Sequence, residues 1–287
     1  MTGSRSRPDF GQTVDDYVKY RAEVPAELFE KLARGFGIGH AGQRALDLGT
    51  GTGAVARALA RRGCHVTGLD TSAEVLAAAA RLAAAEALGV HFVQGAAEAT
   101  GCAADSFDVV TAAVCWHWFD ANRAAAEIRR VLVPGGRLVI VNFNWLSRPG
   151  NVVEATESLM RRHQRALPGR KIAEDLVKAA VARIRPAWMG GLGTGINAES
   201  MPTLTAAGFT ELESFSFDVE VPYSHEAWRG RVRSHAWVGA SQGPATVALV
   251  DAKLDALLRT RFADEPMSVP HRVFVIVARN PKSDSPH

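Results

Sequence analysis

The chain has 287 residues, of which 47% are hydrophobic and 22% are charged, and its formal net charge at pH 7 is +3. This length and composition are typical of a globular protein that forms one α/β domain with insertions or two small domains. The net charge is too small to demand a nucleic-acid partner, and no apolar run reaches the length of a transmembrane helix. Neither a nucleic acid nor a membrane is therefore expected as a partner.

Cysteine usage and the start of the chain indicate the compartment. The three cysteines, Cys64, Cys102 and Cys115, are odd in number and lack the spacing of metal ligands, which is typical of a reduced cytoplasmic protein. The polar start of the chain lacks the apolar core of a signal peptide. Residues 1–10 are predicted as a disordered tail and residues 281–287 as a second tail. The histidines are scattered without an H-x₃-H pattern, so no metal site is predicted.

The structural elements begin with a helical pattern over residues 12–37, which makes residues 11–40 an N-terminal helical element. Strand and helix patterns then alternate over residues 41–142. The predicted strands lie near 44–48, 65–69, 90–94, 107–112 and 137–142, and the predicted helices near 54–62, 73–87 and 120–132. Alternation of this kind predicts a Rossmann-like, doubly wound parallel sheet with helices on both faces.

The most informative stretch is residues 45–53, Ala-Leu-Asp-Leu-Gly-Thr-Gly-Thr-Gly, after which an alanine-rich helix begins. A strand, a glycine turn and a helix N-terminus in this order form a nucleotide-binding crevice at the carboxyl edge of a parallel sheet. Gly49, Thr50, Gly51 and Gly53 are therefore predicted cofactor contacts, and residues 41–142 are the predicted cofactor-binding core.

Two acids indicate which nucleotide binds. Dinucleotide folds usually show G-x-G-x-x-G with the first acid about 20 residues later. Here Asp47 already stands two residues before the first glycine, where it could accept from, or bind through a water, the ammonium of a methionine moiety. Asp70 ends the next apolar run and can accept from both ribose hydroxyls. The two acids favour S-adenosylmethionine, and an NAD-linked oxidoreductase remains an alternative.

Six segments in order resemble the class I methyltransferases, specifically the type 11 group of small-molecule enzymes. These segments are residues 47–53, 68–72, 95–98, 106–110, 115–120 and 132–136. The resemblance covers about residues 40–142, and it implies S-adenosyl-L-methionine as cofactor and methyl transfer as the reaction. It also implies a seven-stranded sheet whose last strand is antiparallel, with helical lid insertions. It leaves the methyl acceptor open.

The resemblance extends to the N-terminal lid element of the family. Residues 16–21, Asp-Tyr-Val-Lys-Tyr-Arg, are similar to a segment in which Tyr and Arg reach the methionine carboxylate. Tyr20 and Arg21 are therefore implied cofactor contacts, and Tyr17 is an implied substrate contact. A surface amphipathic helix is the alternative interpretation of this segment.

The adenine side of the site is implied by residues 95–98. The family often carries an acid at the second position, whereas this chain has Ala96. The contact with adenine would then come from the backbone of Ala96 and Ala97, from Glu98 or from water, with a helix cap as the alternative role of Glu98. Thr71 and Ala113 complete the predicted cofactor contacts.

The segment Cys-Trp-His-Trp-Phe at residues 115–119 follows the fourth strand, where cofactor and acceptor would meet. An oxygen or nitrogen acceptor has to lose a proton, and His117 is the candidate catalytic base. The alternative is a histidine that only hydrogen-bonds the cofactor or a neighbour. Trp116 and Trp118 are predicted to wall the acceptor pocket, with core packing as the alternative.

Residues 143–199 and 222–268 are predicted as two helical insertions that form the acceptor lid, while residues 200–280 complete the core sheet. Large aromatic residues there suit a flat or apolar acceptor, and Trp145 and His235 are predicted substrate contacts. Nine basic residues stand against four acidic ones over residues 148–188. A solvated helix face explains this excess, and an anionic acceptor is the alternative.

The predicted function is transfer of a methyl group from S-adenosylmethionine to a hydroxyl or carboxylate oxygen of a small molecule. An RNA methyltransferase and a fold relative that binds the cofactor without methyl transfer remain alternatives. The expected assembly is a monomer or a homodimer.

Overall fold

The computed structural model describes residues 19–20, 22–165, 200–235, 238 and 244–281. The described elements, in chain order, are α1 (Ala26–Phe36), β1 (Arg44–Leu48), α2 (Ala54–Arg61), β2 (His65–Asp70), α3 (Ala73–Ala85), β3 (Val90–Gln94), β4 (Phe107–Ala113), α4 (Ala121–Val131), β5 (Leu132–Trp145), α5 (Val152–Arg165), α6 (Ser200–Ala206), β6 (Thr210–Tyr223), α7 (His225–Arg233), α8 (Pro244–Arg261) and β7 (Met267–Arg279). Tyr17, Arg21 and residues 166–199 of the first predicted insertion lie outside the described residues, as do residues 1–10 and 282–287 of the predicted tails.

Seven strands form one sheet in the order β3-β2-β1-β4-β5-β7-β6. The pairs among β1 to β5 are parallel. Strand β7 runs antiparallel to β5, because Gly135 donates to the Asn280 carbonyl whereas Leu146 donates to the Pro270 carbonyl. The predicted Rossmann-like α/β sheet with an antiparallel last strand is confirmed.

The strand order places a topological switch point between β1 and β4. The chain passes from β1 through β2 to β3 on one side and then returns to β4 and β5 on the other. Ligands of such sheets bind outside the carboxyl ends of the strands at this point. Asp47 of β1 and Thr111 of β4 are paired neighbours there.

The described residues fall into two compact units. The larger unit contains residues 23–143, 200–217 and 272–281, and its apolar core is built on the central strands. Leu46, Val110 and Ile140 are almost completely buried in this core, as expected for parallel strands covered on both faces. Polar side chains begin two of its helices: Ser72 accepts from the Val75 N–H and Asp120 from the Arg123 N–H.

The smaller unit contains residues 19–20, 22, 144–165, 218–235, 238 and 244–271. Its apolar core centres on Trp228, which is fully buried and donates its indole N–H to the Thr156 hydroxyl at 2.9 Å. The helices α7 and α8 are joined by ion pairs in which Arg229 and Arg233, one turn apart, both bind Asp251. This unit therefore has an apolar core of its own.

Candidate active site

The glycine loop between β1 and α2 needs glycine for two reasons. Gly49, Gly51 and Gly53 have φ of 58°, 56° and 77°, a region that residues with a Cβ adopt only with strain. A Cβ on Gly49 would also lie 2.8 Å from the Cβ of Cys115, and one on Gly53 would lie 3.1 Å from the Phe92 ring. The loop is thus packed against Cys115 and Phe92. Because its glycines carry no Cβ, its backbone can approach a ligand closely.

Asp47 lies beneath this loop with only 2% of its surface exposed. One carboxylate oxygen accepts from the Thr111 hydroxyl and the other from the Thr50 hydroxyl, each at 2.6 Å. Burial raises the pKa of Asp47 to about 6, and the nearby Asp70 charge adds to that increase, although both hydroxyls act to lower the pKa. Asp47 therefore connects β1 and β4 to the loop.

Thr111 did not enter the predicted site. The available signal was one polar residue inside an otherwise apolar strand, Val109-Val110-Thr111-Ala112. Only the register of β4 against β1 turns this residue into a partner of Asp47.

Asp70 holds the other side of the loop. Its Oδ2 accepts from the Gly51 N–H at 2.9 Å, and its Oδ1 accepts from the Ser72 N–H at 3.1 Å. A carboxylate has about four lone-pair positions, so Asp70 retains acceptor capacity for further donors. Thr71 lies between these contacts, and its carbonyl accepts from the Gln94 side chain at 3.0 Å.

The segment predicted to border adenine has a structural role at one end. Ala96 pairs with Ala99 in an isolated antiparallel bridge, and Ala97 is buried in the core of the larger unit. The Glu98 carboxylate accepts from the Asp120 N–H at 2.8 Å, just before α4. Glu98 thus holds the residue that precedes α4, and its contact with adenine stays a prediction.

The residues after β4 form a tight turn that contains His117. Trp116–Trp118 is one turn of 3₁₀ helix, and Val114 before it has φ of 57°, which is a strained value for a β-branched residue. The Cys115 thiol donates to the Leu48 carbonyl at 3.1 Å and ties this turn to the end of β1. The turn is therefore anchored at the carboxyl edge of the sheet.

The two tryptophans of this turn differ in their packing. Trp116 packs against the core of the larger unit and meets the Phe119 ring edge-on, with ring centroids 6.0 Å apart. Trp118 contacts His117, with ring centroids 4.7 Å apart. Trp116 thus packs partly on the core, and its contact with an acceptor stays a prediction. His117 and Trp118 are half-buried, as is Ala113 at the end of β4.

The predicted substrate contacts Trp145 and His235 lie together in the smaller unit. Their rings stack with centroids 5.4 Å apart, and the Arg231 guanidinium lies 4.8 Å from the Trp145 ring. The Trp145 indole N–H donates to Glu157 at 3.3 Å. Trp145 therefore has an aromatic, a cationic and an acidic neighbour.

Tyr20 belongs to the smaller unit as well. Its ring packs against Gly230 of α7, so closely that a Cβ there would overlap it, and its hydroxyl donates to Glu226 at 3.3 Å. Its contact with the cofactor stays a prediction.

Within the described residues, no three His, Cys, Asp or Glu side chains converge as metal ligands. No helix in the described part of the chain is long and apolar enough to cross a membrane.

The segment that contains the glycine loop, Asp47, Asp70 and the His117 turn is similar to known proteins. Residues 46–140 match the family model described as a methyltransferase domain. Residues 46–140 are therefore similar to methyltransferase domains of the type 11 group.

Two curated relatives show how far the similarity extends. An uncharacterized methyltransferase of Mycobacterium tuberculosis is 35% identical over 150 residues, which are 50% of this chain and 58% of that protein. Demethylmenaquinone methyltransferase of Thermus thermophilus is 43% identical over 104 residues, 35% of this chain and 47% of that protein. The chain thus spans about half the length of the curated relatives that it matches.

Solved structures resemble this chain in fold. A protein of Anaeromyxobacter dehalogenans, assigned as a type II methyltransferase, gives a TM-score of 0.61 at 24% identity over 92% of this chain and 99% of that one. Phosphoethanolamine N-methyltransferase 2 of Haemonchus contortus, solved with S-adenosyl-L-methionine, gives a TM-score of 0.54 at 20% identity over 98% of this chain and 61% of that one. At these identities the likeness concerns the fold alone.

Proposed function

We propose that this protein transfers a methyl group from S-adenosylmethionine to an oxygen of a small-molecule acceptor. The observation that supports this most strongly is the pair of acids that hold the glycine loop from two sides. Asp47, on β1, accepts a hydrogen bond from the Thr50 hydroxyl, and Asp70, at the end of β2, accepts one from the Gly51 N–H. Both acids lie at the carboxyl edge of the sheet, where nucleotide ligands bind in this fold.

In this proposal Asp70 binds the ribose hydroxyls with its remaining acceptor capacity. The backbone at Gly49, Thr50, Gly51 and Gly53 lies against the methionine portion, because no Cβ of a loop glycine stands in the way. Asp47 binds the methionine ammonium through a water or attracts it as a buried negative charge, because each of its oxygens already accepts from a threonine hydroxyl.

The adenine contact is assigned to the backbone of Ala96 and Ala97 or to Glu98, whose carboxylate accepts from the Asp120 N–H and retains acceptor capacity. Thr71 and Ala113 flank the same edge of the sheet. Tyr20 and Arg21 remain proposed contacts of the methionine carboxylate, as the family resemblance implies.

Bound S-adenosylmethionine supplies a methyl carbon that is electrophilic because it is attached to a sulfonium. It would give this methyl group to an acceptor oxygen and keep the electron pair of the carbon–sulfur bond on sulfur, while Asp70 and the glycine loop would hold it in place. The anchored turn at the end of β4 positions His117 to take the proton that a hydroxyl acceptor releases. A carboxylate acceptor is already ionised at neutral pH and needs no base.

The aromatic and cationic neighbours of Trp145 support an acceptor with a flat or apolar body. Trp145 and His235 are the proposed acceptor contacts in the smaller unit, and Trp118 is the proposed wall beside His117. Tyr17, also implied by the resemblance, lies outside the described residues. The relative from Thermus thermophilus is named for a small-molecule acceptor, which supports the same class here.

The ion pairs of α5 and its surroundings favour a small molecule over RNA. Arg148 binds Asp218 at 3.0 Å, and Arg161 binds Glu157 at 3.4 Å. Two of the nine basic residues over residues 148–188 thus have acidic partners, which reduces the positive field that binds a phosphate backbone. RNA binding that weakens steeply with salt would reverse this preference.

The experiment has two stages, binding and turnover. Titration calorimetry with S-adenosylmethionine and S-adenosylhomocysteine tests the cofactor, and we expect micromolar dissociation constants. A library of hydroxylated and carboxylated aromatic compounds then tests turnover by the formation of S-adenosylhomocysteine. Cofactor binding without turnover on any acceptor would indicate a fold relative that transfers no methyl group. A thermal shift with NAD(P)H, together with no binding of either sulfur ligand, would indicate an oxidoreductase.

A further inference from the structure

Thr111 places a hydroxyl at the centre of a strand where packing alone does not require one. The residue is 2% exposed, and its strand neighbours Val109, Val110 and Ala112 are apolar and buried. A valine has nearly the same shape as threonine but lacks the hydroxyl. The chemical contribution of Thr111 is therefore its hydrogen bond to Asp47 at 2.6 Å.

This hydrogen bond differs from the other two that Asp47 receives. Thr50 belongs to the glycine loop, and the Ala56 N–H belongs to the helix that follows the loop. Thr111 belongs to β4, which is held by β1 on one side and β5 on the other. Thr111 thus fixes one Asp47 oxygen from a rigid element and leaves the second oxygen directed at the loop.

The charges around Asp47 make this support necessary. Asp70 on β2 is a second acid, and its charge opposes the ionisation of Asp47. On α2, the buried Arg57 is bound to Glu23 and Glu86. On the β4 side, the Cys115 thiol donates to the Leu48 carbonyl. Hydrogen bonds are therefore the stabilising contacts of the Asp47 carboxylate.

We propose that Thr111 is a positioning residue of the methyltransferase domain: its hydroxyl keeps Asp47 ionised and oriented, and Asp47 in turn holds Thr50 and the glycine loop for the cofactor. This inference rests on the proposed function, because it assumes that the loop binds S-adenosylmethionine. It goes beyond that function by assigning a role to a strand residue that touches neither cofactor nor acceptor.

The test is the pH profile of S-adenosylhomocysteine binding by Thr111→Val, measured by titration calorimetry between pH 5.5 and 8.0. The ionised form of Asp47 loses a donor in this variant, so its pKa rises and protonation reaches neutral pH. At pH 6.5 we expect the dissociation constant to rise at least tenfold over that of the wild type. At pH 8.0 we expect a difference of less than threefold. Thr111→Ser keeps the hydroxyl and should restore the wild-type profile.

The control is Thr100→Val, since Thr100 is also buried in the larger unit and donates to a carboxylate, that of Glu127, at 2.6 Å. This variant should bind S-adenosylhomocysteine like the wild type at every pH. A Thr111→Val variant whose affinity matches the wild type, or falls equally at all pH values, would overturn the proposal. An Asp47→Asn background should abolish the pH-dependent effect of Thr111→Val, and its persistence there would also overturn the proposal.

The apo protein gives a readout that does not need the ligand. The raised pKa of Asp47 means that the folded state holds its proton more tightly than the unfolded state. The free energy of unfolding therefore decreases as pH rises toward 6, and in Thr111→Val this decrease should extend to higher pH. Coincident curves for the variant and the wild type would contradict the proposal, even if the wild type bound no cofactor and the proposed function failed.

Discussion

Asp70 accepts a hydrogen bond from the Gly51 N–H at 2.9 Å and so connects the end of β2 to the middle of the glycine loop. The same carboxylate accepts from the Ser72 N–H, next to the start of α3. One side chain thus orders the loop and the edge of the sheet while it retains acceptor capacity for a ribose.

We expect Asp70→Ala to weaken S-adenosylhomocysteine binding at least tenfold, or about 1.4 kcal/mol. The variant removes the proposed ribose acceptor and leaves the Gly51 N–H without its carboxylate partner. Titration calorimetry at pH 7.5 measures the effect. Asp70→Asn, which retains one acceptor oxygen, should give an intermediate affinity, and an unchanged affinity in both variants would remove Asp70 from the site.

Asp47→Asn should raise the thermal stability of the apo protein at pH 7.5 and weaken cofactor binding. The pKa of Asp47 is raised from 3.8 to about 6, so the folded state at pH 7.5 contains an ionised group that it would hold more favourably as the neutral form. The contribution of Asp47 to the free energy of unfolding therefore falls as pH rises from about 4 to 6 and stays at its lower value above this window.

Thermal unfolding at two pH values checks the direction of this change in stability. The melting temperature of Asp47→Asn should exceed that of the wild type by about 2–4 °C at pH 7.5. At pH 5.0 the difference should nearly vanish, because wild-type Asp47 is then mostly protonated in the folded state. A variant that is less stable at pH 7.5 would mean that the Asp47 charge stabilises the apo fold.

Gly49→Ala should reduce both stability and cofactor affinity. Its φ of 58° costs about 1–2 kcal/mol for a residue with a Cβ, and the new Cβ would collide with Cys115. Gly42→Ala is the matched control, because Gly42 also has a positive φ but nothing lies within 4 Å of its Cβ position. Chemical denaturation and calorimetry should show a loss of stability in both variants and a loss of affinity only in Gly49→Ala.

His117→Gln should lower kcat on a hydroxyl acceptor by about 10²–10⁴-fold, as expected for a lost general base. S-adenosylmethionine affinity should stay within threefold of the wild type, because this substitution leaves the loop and both acids in place. Steady-state kinetics at pH 7.5 with saturating S-adenosylmethionine provides the measurement. A hydroxyl acceptor methylated at the wild-type rate would exclude His117 as the base.

The strand patterns in the sequence predicted the central strands closely because each is a short apolar run that ends at a polar or glycine residue. The strand predicted near 44–48 is β1, Arg44–Leu48. The fifth strand was predicted to begin near 137, after a Pro-Gly-Gly turn, whereas β5 begins at Leu132. The pairing of β4 with β5 shifts register between Phe107 and Val109, which a pattern within one strand does not reveal.

The sequence by itself determined the positions of the central strands, the glycine loop and the two acids, because these depend on residues near one another in the chain. Tertiary structure alone decided the partners of those residues. It paired Thr111 with Asp47, 64 residues apart, and it brought Trp145 onto His235. It also engaged Glu98 with Asp120 and packed Tyr20 on α7. Such contacts follow from strand register and helix packing, which bring distant residues together and which no local pattern encodes.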